Sequence, residues 1–207
     1  MSIFDRFKKG EISRKELRDM AEKDPSLRTE IASLLNEEMS DDELEGIAAA
    51  GYIRGGTDDD FLVGTDGNDT LYGRGGADFL SAGDGDDKMD GGARDGAGDV
   101  AFGGDGDDTY YWGLSKDGSD TFIGGEGTDV LKLDLELTGN YDIKGAFESG
   151  AWDISVLDSN NNPIQITDDM WDSNGHLNLP PGSSGQIIGP TGETLSFSDV
   201  EIIRGLK

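Results

Sequence analysis

The stretch GTDGNDTLY-GRGGADFLS-AGDGDDKMD, residues 64–90, holds three nine-residue units in a single register. Each closes a Gly-rich turn on an Asp (Asp69, Asp78, Asp87) and puts an apolar residue two positions later (Leu71, Leu80, Met89). The unit extends outward on both sides. GGTDDDFLV (55–63) precedes it, and GGDGDDTYY (103–111) and GGEGTDVLK (124–132) follow, interleaved with the twelve-residue variants 91–102 and 112–123. The turn-closing Asp therefore recurs at Asp60, Asp69, Asp78, Asp87, Asp99, Asp108, Asp120 and Asp129. The apolar residue recurs with it, at Leu62, Leu71, Leu80, Met89, Ala101, Tyr110, Phe122 and Leu131. A fixed period of this kind marks a repeat architecture.

Glycine pairs permit tight turning. A three-residue strand such as Thr70-Leu71-Tyr72 sends its middle side chain to one face and its neighbours to the other. One unit is thus a turn plus a strand, and two units make one coil of a flattened spiral. Asp residues two units apart then stack along one edge. Facing carboxylates and turn carbonyls supply about six oxygens, a set that suits Ca²⁺ better than the smaller, strictly octahedral Mg²⁺.

Composition agrees. The 207 residues include 33 Gly, no Cys and one His (His176), with 44 acidic against 17 basic side chains and a net charge of −27. Thiol chemistry, disulfide scaffolds and Cys- or His-rich zinc sites are excluded. Nucleic acid and anionic membrane surfaces are repelled, and no apolar run reaches the roughly 20 residues of a membrane span. The charge is uneven: residues 51–132 hold 19 acids, 6 bases and 22 Gly, against 13, 8 and 2 in residues 1–50 and 12, 3 and 9 in residues 133–207. Three segments are therefore expected, at 1–50, 51–132 and 133–207. A mere eight inward side chains cannot offset the entropy of ordering the middle one, so metal binding and folding are expected to be coupled.

The repeats resemble the RTX family, whose consensus GGxGxDxUx forms a calcium-binding parallel β-roll. The resemblance spans residues 55–132. It implies a parallel β-roll, so the expected fold is mainly β, a roll with a C-terminal β cap and, from the reading of residues 1–50 below, a short N-terminal helical segment. It also implies that each ion takes the carbonyls of turn positions 2 and 4 and the Asp of one repeat. The repeat two units on adds the carbonyls of positions 1 and 3 and its own Asp. One site then uses Thr65, Gly67 and Asp69 with Ala82, Asp84 and Asp87. The next uses Gly83, Gly85 and Asp87 with Gly103, Asp105 and Asp108, and a third uses Gly104, Gly106 and Asp108 with Gly124, Glu126 and Asp129. On the opposite edge Gly56, Asp58 and Asp60 face Gly73, Gly75 and Asp78. Both twelve-residue repeats fall on that opposite edge, so sites built on Asp99 and Asp120 are expected to be distorted or empty. Four to six ions are expected in all, with Asp129 at the end of its stack.

In residues 1–50, Ser13 with Glu16, Asp24-Pro25 and Ser40 with Glu43 mark three short helix starts. The third, MSDDELEGIAAAG (39–51), resembles the double-glycine leaders of Nif11-type precursors, which a peptidase domain on an ABC exporter cuts. Met39, Ser40, Glu43, Leu44 and Ile47 match, and Ala49-Ala50 stands for Gly-Gly, so cleavage would leave Gly51 first. The competing reading is a helical cap on the roll. In the C-terminal segment, 151–157 and 163–167 flank the turn Asp158–Asn162 as a hairpin, and QIIG, ETLSFSD and VEIIRG read as further strands. The ending GETLSFSDVEII resembles the short strands that close RTX rolls. Trp152, Trp171 and Phe197 are read as core, His176 as a surface residue without a carboxylate partner, and Asp168, Asp169 and Asp172 as a solvated loop.

The expectation is a secreted, non-enzymatic calcium-binding protein, exported through an ABC transporter and folded outside the cell. The alternative is a calcium-dependent carbohydrate-binding or adhesion module, with an extracellular glycan or cell surface as partner. A hydrolase using the acids of the cap is the third reading.

Overall fold

Three-residue strands bounded by glycine turns cannot bury a face alone, so they stack. In the computed structural model, which describes residues 51–92, 96–113, 118–134, 143–189 and 192–205, they form a parallel β-solenoid. The leader and helix readings of residues 1–50 lie outside the described residues. Strands β1 (Ile53–Arg54), β3 (Thr70–Tyr72), β5 (Lys88–Asp90), β7 (Thr109–Trp112) and β9 (Val130–Leu133) pair in parallel as one sheet. Strands β2 (Phe61–Val63), β4 (Phe79–Asp84), β6 (Val100–Asp105) and β8 (Ser119–Glu126) form the other. The chain alternates between them, as the two-unit coil requires.

The repeated apolar position is the core. Leu71 pairs with Met89, Met89 with Tyr110 and Tyr110 with Leu131; on the other sheet Leu62, Leu80, Ala101 and Phe122 stack likewise. All eight are buried. A second apolar row lies on the other face of the β2–β8 sheet, where Phe79 packs between Phe61 and Phe102 at ring-centroid distances of 4.6 and 5.0 Å.

The C-terminal segment does more than lie over the end of the roll. Its strands β14 (Thr194–Ser198) and β15 (Ile202–Gly205) continue the two sheets in parallel, with Phe197 opposite Phe122 and Ile203 opposite Leu131. From this last coil hang antiparallel strands: β12 (Leu177–Asn178) on β15, and β13 (Ser184–Ile188), β10 (Asp153–Leu157) and β11 (Pro163–Ile164) in succession on β14. The expected hairpin is present. Asp158 Oδ1 accepts the N–H groups of Asn160 and Asn162, both at 2.8 Å, and holds its turn. Pro163 sits in the edge strand, where a missing N–H costs no ladder bond.

Two features differ from the expectation. A helix, α1 (Ile143–Glu148), occupies part of the segment expected to be β-rich, burying Ile143 and Ala146. And His176 does have a carboxylate partner: its Nδ1 lies 3.0 Å from Asp172 Oδ2, because the turn 172–176 closes on Asp172, whose Oδ1 also accepts the His176 N–H. Trp152 and Phe197 are buried as expected, while Trp171 is partly buried. Trp152 stands edge-on to both Trp112 and Phe147.

Candidate metal centre

Every turn of the edge 64–69, 82–87, 103–108 and 124–129 ends on an Asp whose side chain must enter the roll, because the residue after it starts a strand. These carboxylates form a ladder. Oδ1 of Asp87 accepts the N–H of Asp69 at 2.6 Å, Oδ1 of Asp108 that of Asp87 at 2.9 Å, and Oδ1 of Asp129 that of Asp108 at 2.9 Å. The opposite edge repeats the arrangement through Asp60, Asp78, Asp99 and Asp120.

The second oxygens divide the carboxylates into kinds. Oδ2 of Asp87, Asp108 and Asp129 is buried and has no hydrogen-bond partner. Asp69 Oδ2 instead accepts from the N–H and the hydroxyl of Thr65, and Asp60 Oδ2 accepts from the Gly56 N–H. On the opposite edge, Asp120 has both oxygens engaged, because the phenol of Tyr110 reaches across the interior to Oδ2 at 3.0 Å. A buried carboxylate oxygen with no donor is costly unless a cation meets it.

Carbonyls complete the gaps. A methyl group added at Gly104, Gly106, Gly125 or Gly127 would run into the carbonyl oxygen of Gly83, Gly85, Gly104 or Gly106, respectively. These four carbonyls therefore point towards the next coil. Position-1 carbonyls point the other way: methyl groups added at Gly64 and Gly103 would meet the carbonyls of Ala82 and Gly124 together with Oδ2 of Asp69 and Asp108. The position-3 carbonyls of Asp105 and Glu126 accept the N–H groups of Gly85 and Gly106 at 2.7 and 2.8 Å. Turn 64–69 departs, since a methyl at Gly85 would meet the Gly67 carbonyl carbon and Asn68 N instead of a carbonyl oxygen. Across the opposite edge, Gly76 faces the Asp58 carbonyl, and Gly55 faces that of Gly73.

Among the described residues no three acidic or His side chains form a metal-holding group, so any ion must draw much of its shell from these carbonyls. A hard, oxygen-only donor set with two carboxylates fits Ca²⁺. The electrostatics agree. Burial pushes the carboxyls of Asp87, Asp108 and Asp129 up to about 7, against the pull of the backbone N–H each accepts. The surrounding like charges, Asp69, Asp86 and Asp84 around Asp87 for example, push the same way.

Sequence reasoning missed two groups of residues. Position 5 carries an outer ladder: Asn68 Oδ1 accepts the Asp86 N–H, Asp86 Oδ1 that of Asp107, and Asp107 Oδ1 that of Thr128, at 2.8–3.1 Å. Its signal was in the repeat itself. The other is Glu201, whose Oε2 accepts the Asp129 N–H at 2.8 Å and so continues the inner ladder beyond the repeats.

The fold and this row of oxygens define a calcium-binding parallel β-roll. The family model of the RTX calcium-binding nonapeptide repeat (4 copies) matches residues 54–89 and 115–134, so the chain carries RTX repeats. Among solved structures the chain is similar to the AlgE6R3 subunit of the Azotobacter vinelandii mannuronan C5-epimerase. The identity is 21%, over 74% of this chain and 75% of that one, with a TM-score of 0.39. No curated protein sequence matches the chain. No helix of the described residues is long and apolar enough to cross a membrane.

Proposed function

We propose that this chain is a secreted calcium-binding protein whose roll folds when calcium fills the gaps between successive turns. The observation that carries the reading is the row of buried, partnerless oxygens on Asp87, Asp108 and Asp129. One ion lies between turns 82–87 and 103–108, held by Gly83, Gly85 and Asp87 with Gly103, Asp105 and Asp108. Another lies between 103–108 and 124–129, held by Gly104, Gly106 and Asp108 with Gly124, Glu126 and Asp129. The gap above Asp69 binds more weakly, because Thr65 already engages its Oδ2. The gap between Asp60 and Asp78 serves the opposite edge, and four to six ions fill the roll in all.

Such modules hold calcium at roughly 10⁻⁴–10⁻³ M outside cells, far above cytosolic levels. The chain is then unfolded during passage through an ABC exporter and folds on the far side, with residues 1–50 as the exporter's leader. Circular dichroism of the full chain in calcium buffers tests the coupling. Ellipticity should become β-rich as calcium rises through the sub-millimolar range, and a native spectrum in chelator would overturn it. Mass spectrometry of protein from the host's medium tests the leader, which requires a mature form beginning at Gly51.

One observation favours the second reading, a calcium-dependent glycan-binding module. A cleft of about 610 Å³ beside α1 is lined by Phe147, Trp152 and Trp171 and edged by Glu148, Asp153 and Asp168. Aromatic faces suit the apolar side of a sugar ring, and carboxylates accept from its hydroxyls. Glycan-array binding in calcium that is lost in Trp171→Ala would support it, and an array without hits would dismiss it.

A further inference from the structure

The closing coil reproduces the metal-facing side of a repeat without its sequence. In each full turn the residue after the Asp donates its N–H to the preceding coil's Asp carbonyl: Thr109 to Asp87 at 2.9 Å and Val130 to Asp108 at 2.8 Å. Ile202 donates to the Asp129 carbonyl at 3.0 Å. Glu201 thus stands where the next turn-closing Asp would stand, and Ile203 takes the buried apolar position two residues on. The turn leading to it has only Asp199 and Val200 between the strand end and Glu201, and Asp199 adopts φ +53° to make it.

Position 1 is reproduced as well. A methyl group added at Gly124 would run into the Asp199 carbonyl oxygen and Oδ2 of Asp129. This is the pair that Gly103 meets one coil below, formed there by the Gly124 carbonyl and Asp108 Oδ2. Asp129 is fully buried and its Oδ2 has no hydrogen-bond partner. Glu201 stands one coil beyond Asp129, its Oε2 accepting the Asp129 N–H at 2.8 Å and its Oε1 only the longer contact from the Gly182 N–H at 3.4 Å.

We infer that the closing turn completes one more cation site, for Ca²⁺, built from Asp129 Oδ2, the Asp199 carbonyl and the Glu201 carboxylate over the turn 124–129. Gly125 and Gly127 hold the positions, and the left-handed φ of +118° and +141°, that Gly104 and Gly106 hold one coil down at +125° and +133°. Their carbonyls supply the floor of the site. The extra methylene of Glu relative to Asp lets a three-residue turn reach the ion that six-residue turns approach elsewhere. The shortened turn lacks the position-3 carbonyl, so water takes that place and the site fills last. Metal thereby adds a bond between the C-terminal coil and the repeats, which are otherwise joined by strand pairing and by the buried packing of Phe197 and Ile203 in the core with Phe122 and Leu131.

The inference rests on the roll binding calcium, and the test separates the two. Calcium bound per full-length chain is counted by equilibrium dialysis at saturation, for the natural protein and for Glu201→Gln. Gln keeps an oxygen for the Asp129 N–H, so a merely structural role is preserved while the charge is lost. The variant should bind one ion fewer. Terbium-soaked crystals of the natural protein give the second readout, which does not depend on the variant folding: an anomalous peak between Asp129 and Glu201. If the natural protein binds no calcium, the calcium reading falls. If it binds calcium between the lower turns, yet Glu201→Gln binds as many or no peak stands beside Glu201, this inference alone is overturned.

Discussion

Asp108 joins the coil below to the gap above with one carboxylate: its Oδ1 accepts the backbone N–H of Asp87 at 2.9 Å, while its Oδ2 has no donor. The hydrogen bond fixes the side chain's rotation, so the free oxygen is aimed before any ion arrives. The same division of labour holds at Asp87 and Asp129. Each carboxylate is therefore a rung of the ladder that keeps one buried oxygen without a donor, facing the gap.

Replacing such a carboxylate by its amide should separate the two roles. Asp87→Asn, Asp108→Asn and Asp129→Asn each keep an oxygen for the rung but lose the charge facing the gap. A hydrogen bond or contact to a charged group contributes about 1.5–3 kcal/mol, which is about ten-fold or more in the calcium midpoint. Asp129 stands at the end of the repeats in sequence, yet Glu201 continues the stack beyond it. Asp129→Asn should therefore shift the midpoint as much as Asp87→Asn does. A shift at Asp129 clearly smaller than at the other two would contradict a stack that runs on to Glu201.

Backbone conformation gives a second expectation. Gly104 and Gly106 lie at φ +125° and +133°, and a methyl at either would strike the carbonyl of the coil below. Conformations of this kind cost a non-glycine residue about 1–3 kcal/mol before any clash. Gly150 at φ +71° meets nothing within 4 Å. Gly104→Ala and Gly106→Ala should lower the melting temperature in saturating calcium well beyond the effect of Gly150→Ala, read by calorimetry.

Much of this was legible because the roll is written locally. The turn-closing Asp and the apolar residue two places on need only the period to be seen, and both lie in the structure where the period puts them. Glu201 was not legible in that way. It lies 72 residues beyond Asp129, is not an Asp, and closes a turn with none of the glycines that announce the others. Its one trace is the apolar Ile203 two positions on. Helix α1 was missed for a different reason: Ile143, Ala146 and Phe147 have helical spacing, but six residues between strand-rich stretches carry too few turns to stand out. The Asp172–His176 pair depends on a turn closing, which composition does not report.

Acidity should oppose calcium. The carboxyls of Asp87, Asp108 and Asp129 are raised to about 7 in the folded roll, first by burial, from about 3.9 in an unfolded chain. A raised carboxyl binds its proton more tightly when folded. In chelator, the folded roll should gain stability as pH falls from about 7 towards about 4 and lose it as pH rises through about 7. In the unfolded chain these carboxyls are already ionised above about pH 5, so calcium-driven folding releases no protons near neutrality, and calcium has protons to displace only where acid holds the metal-free roll folded. The calcium midpoint should therefore stay level from about pH 8 to about pH 6 and rise as pH falls towards about 4, followed by circular dichroism at each pH. A midpoint that climbs already between about pH 8 and about pH 6 would contradict a metal-free chain that is unfolded at neutrality.

Tyr110→Phe separates the two edges. The phenol stacks on Phe122 at 5.2 Å and donates to Asp120 Oδ2 at 3.0 Å, inside the roll. Removing the hydroxyl leaves the ring's packing intact and creates no large cavity, but it removes one charge-assisted hydrogen bond to a buried carboxylate, a loss of about 1.5–3 kcal/mol. Asp120 belongs to the edge opposite Asp87, Asp108 and Asp129, so the gaps proposed to hold calcium there keep every ligand. The variant should melt at a lower temperature in saturating calcium, while equilibrium dialysis returns the natural number of ions or one more, the extra ion replacing the lost proton donor at Asp120. Fewer ions than in the natural protein would mean that the two edges are not independent and that Tyr110 supports the calcium-binding row through the core.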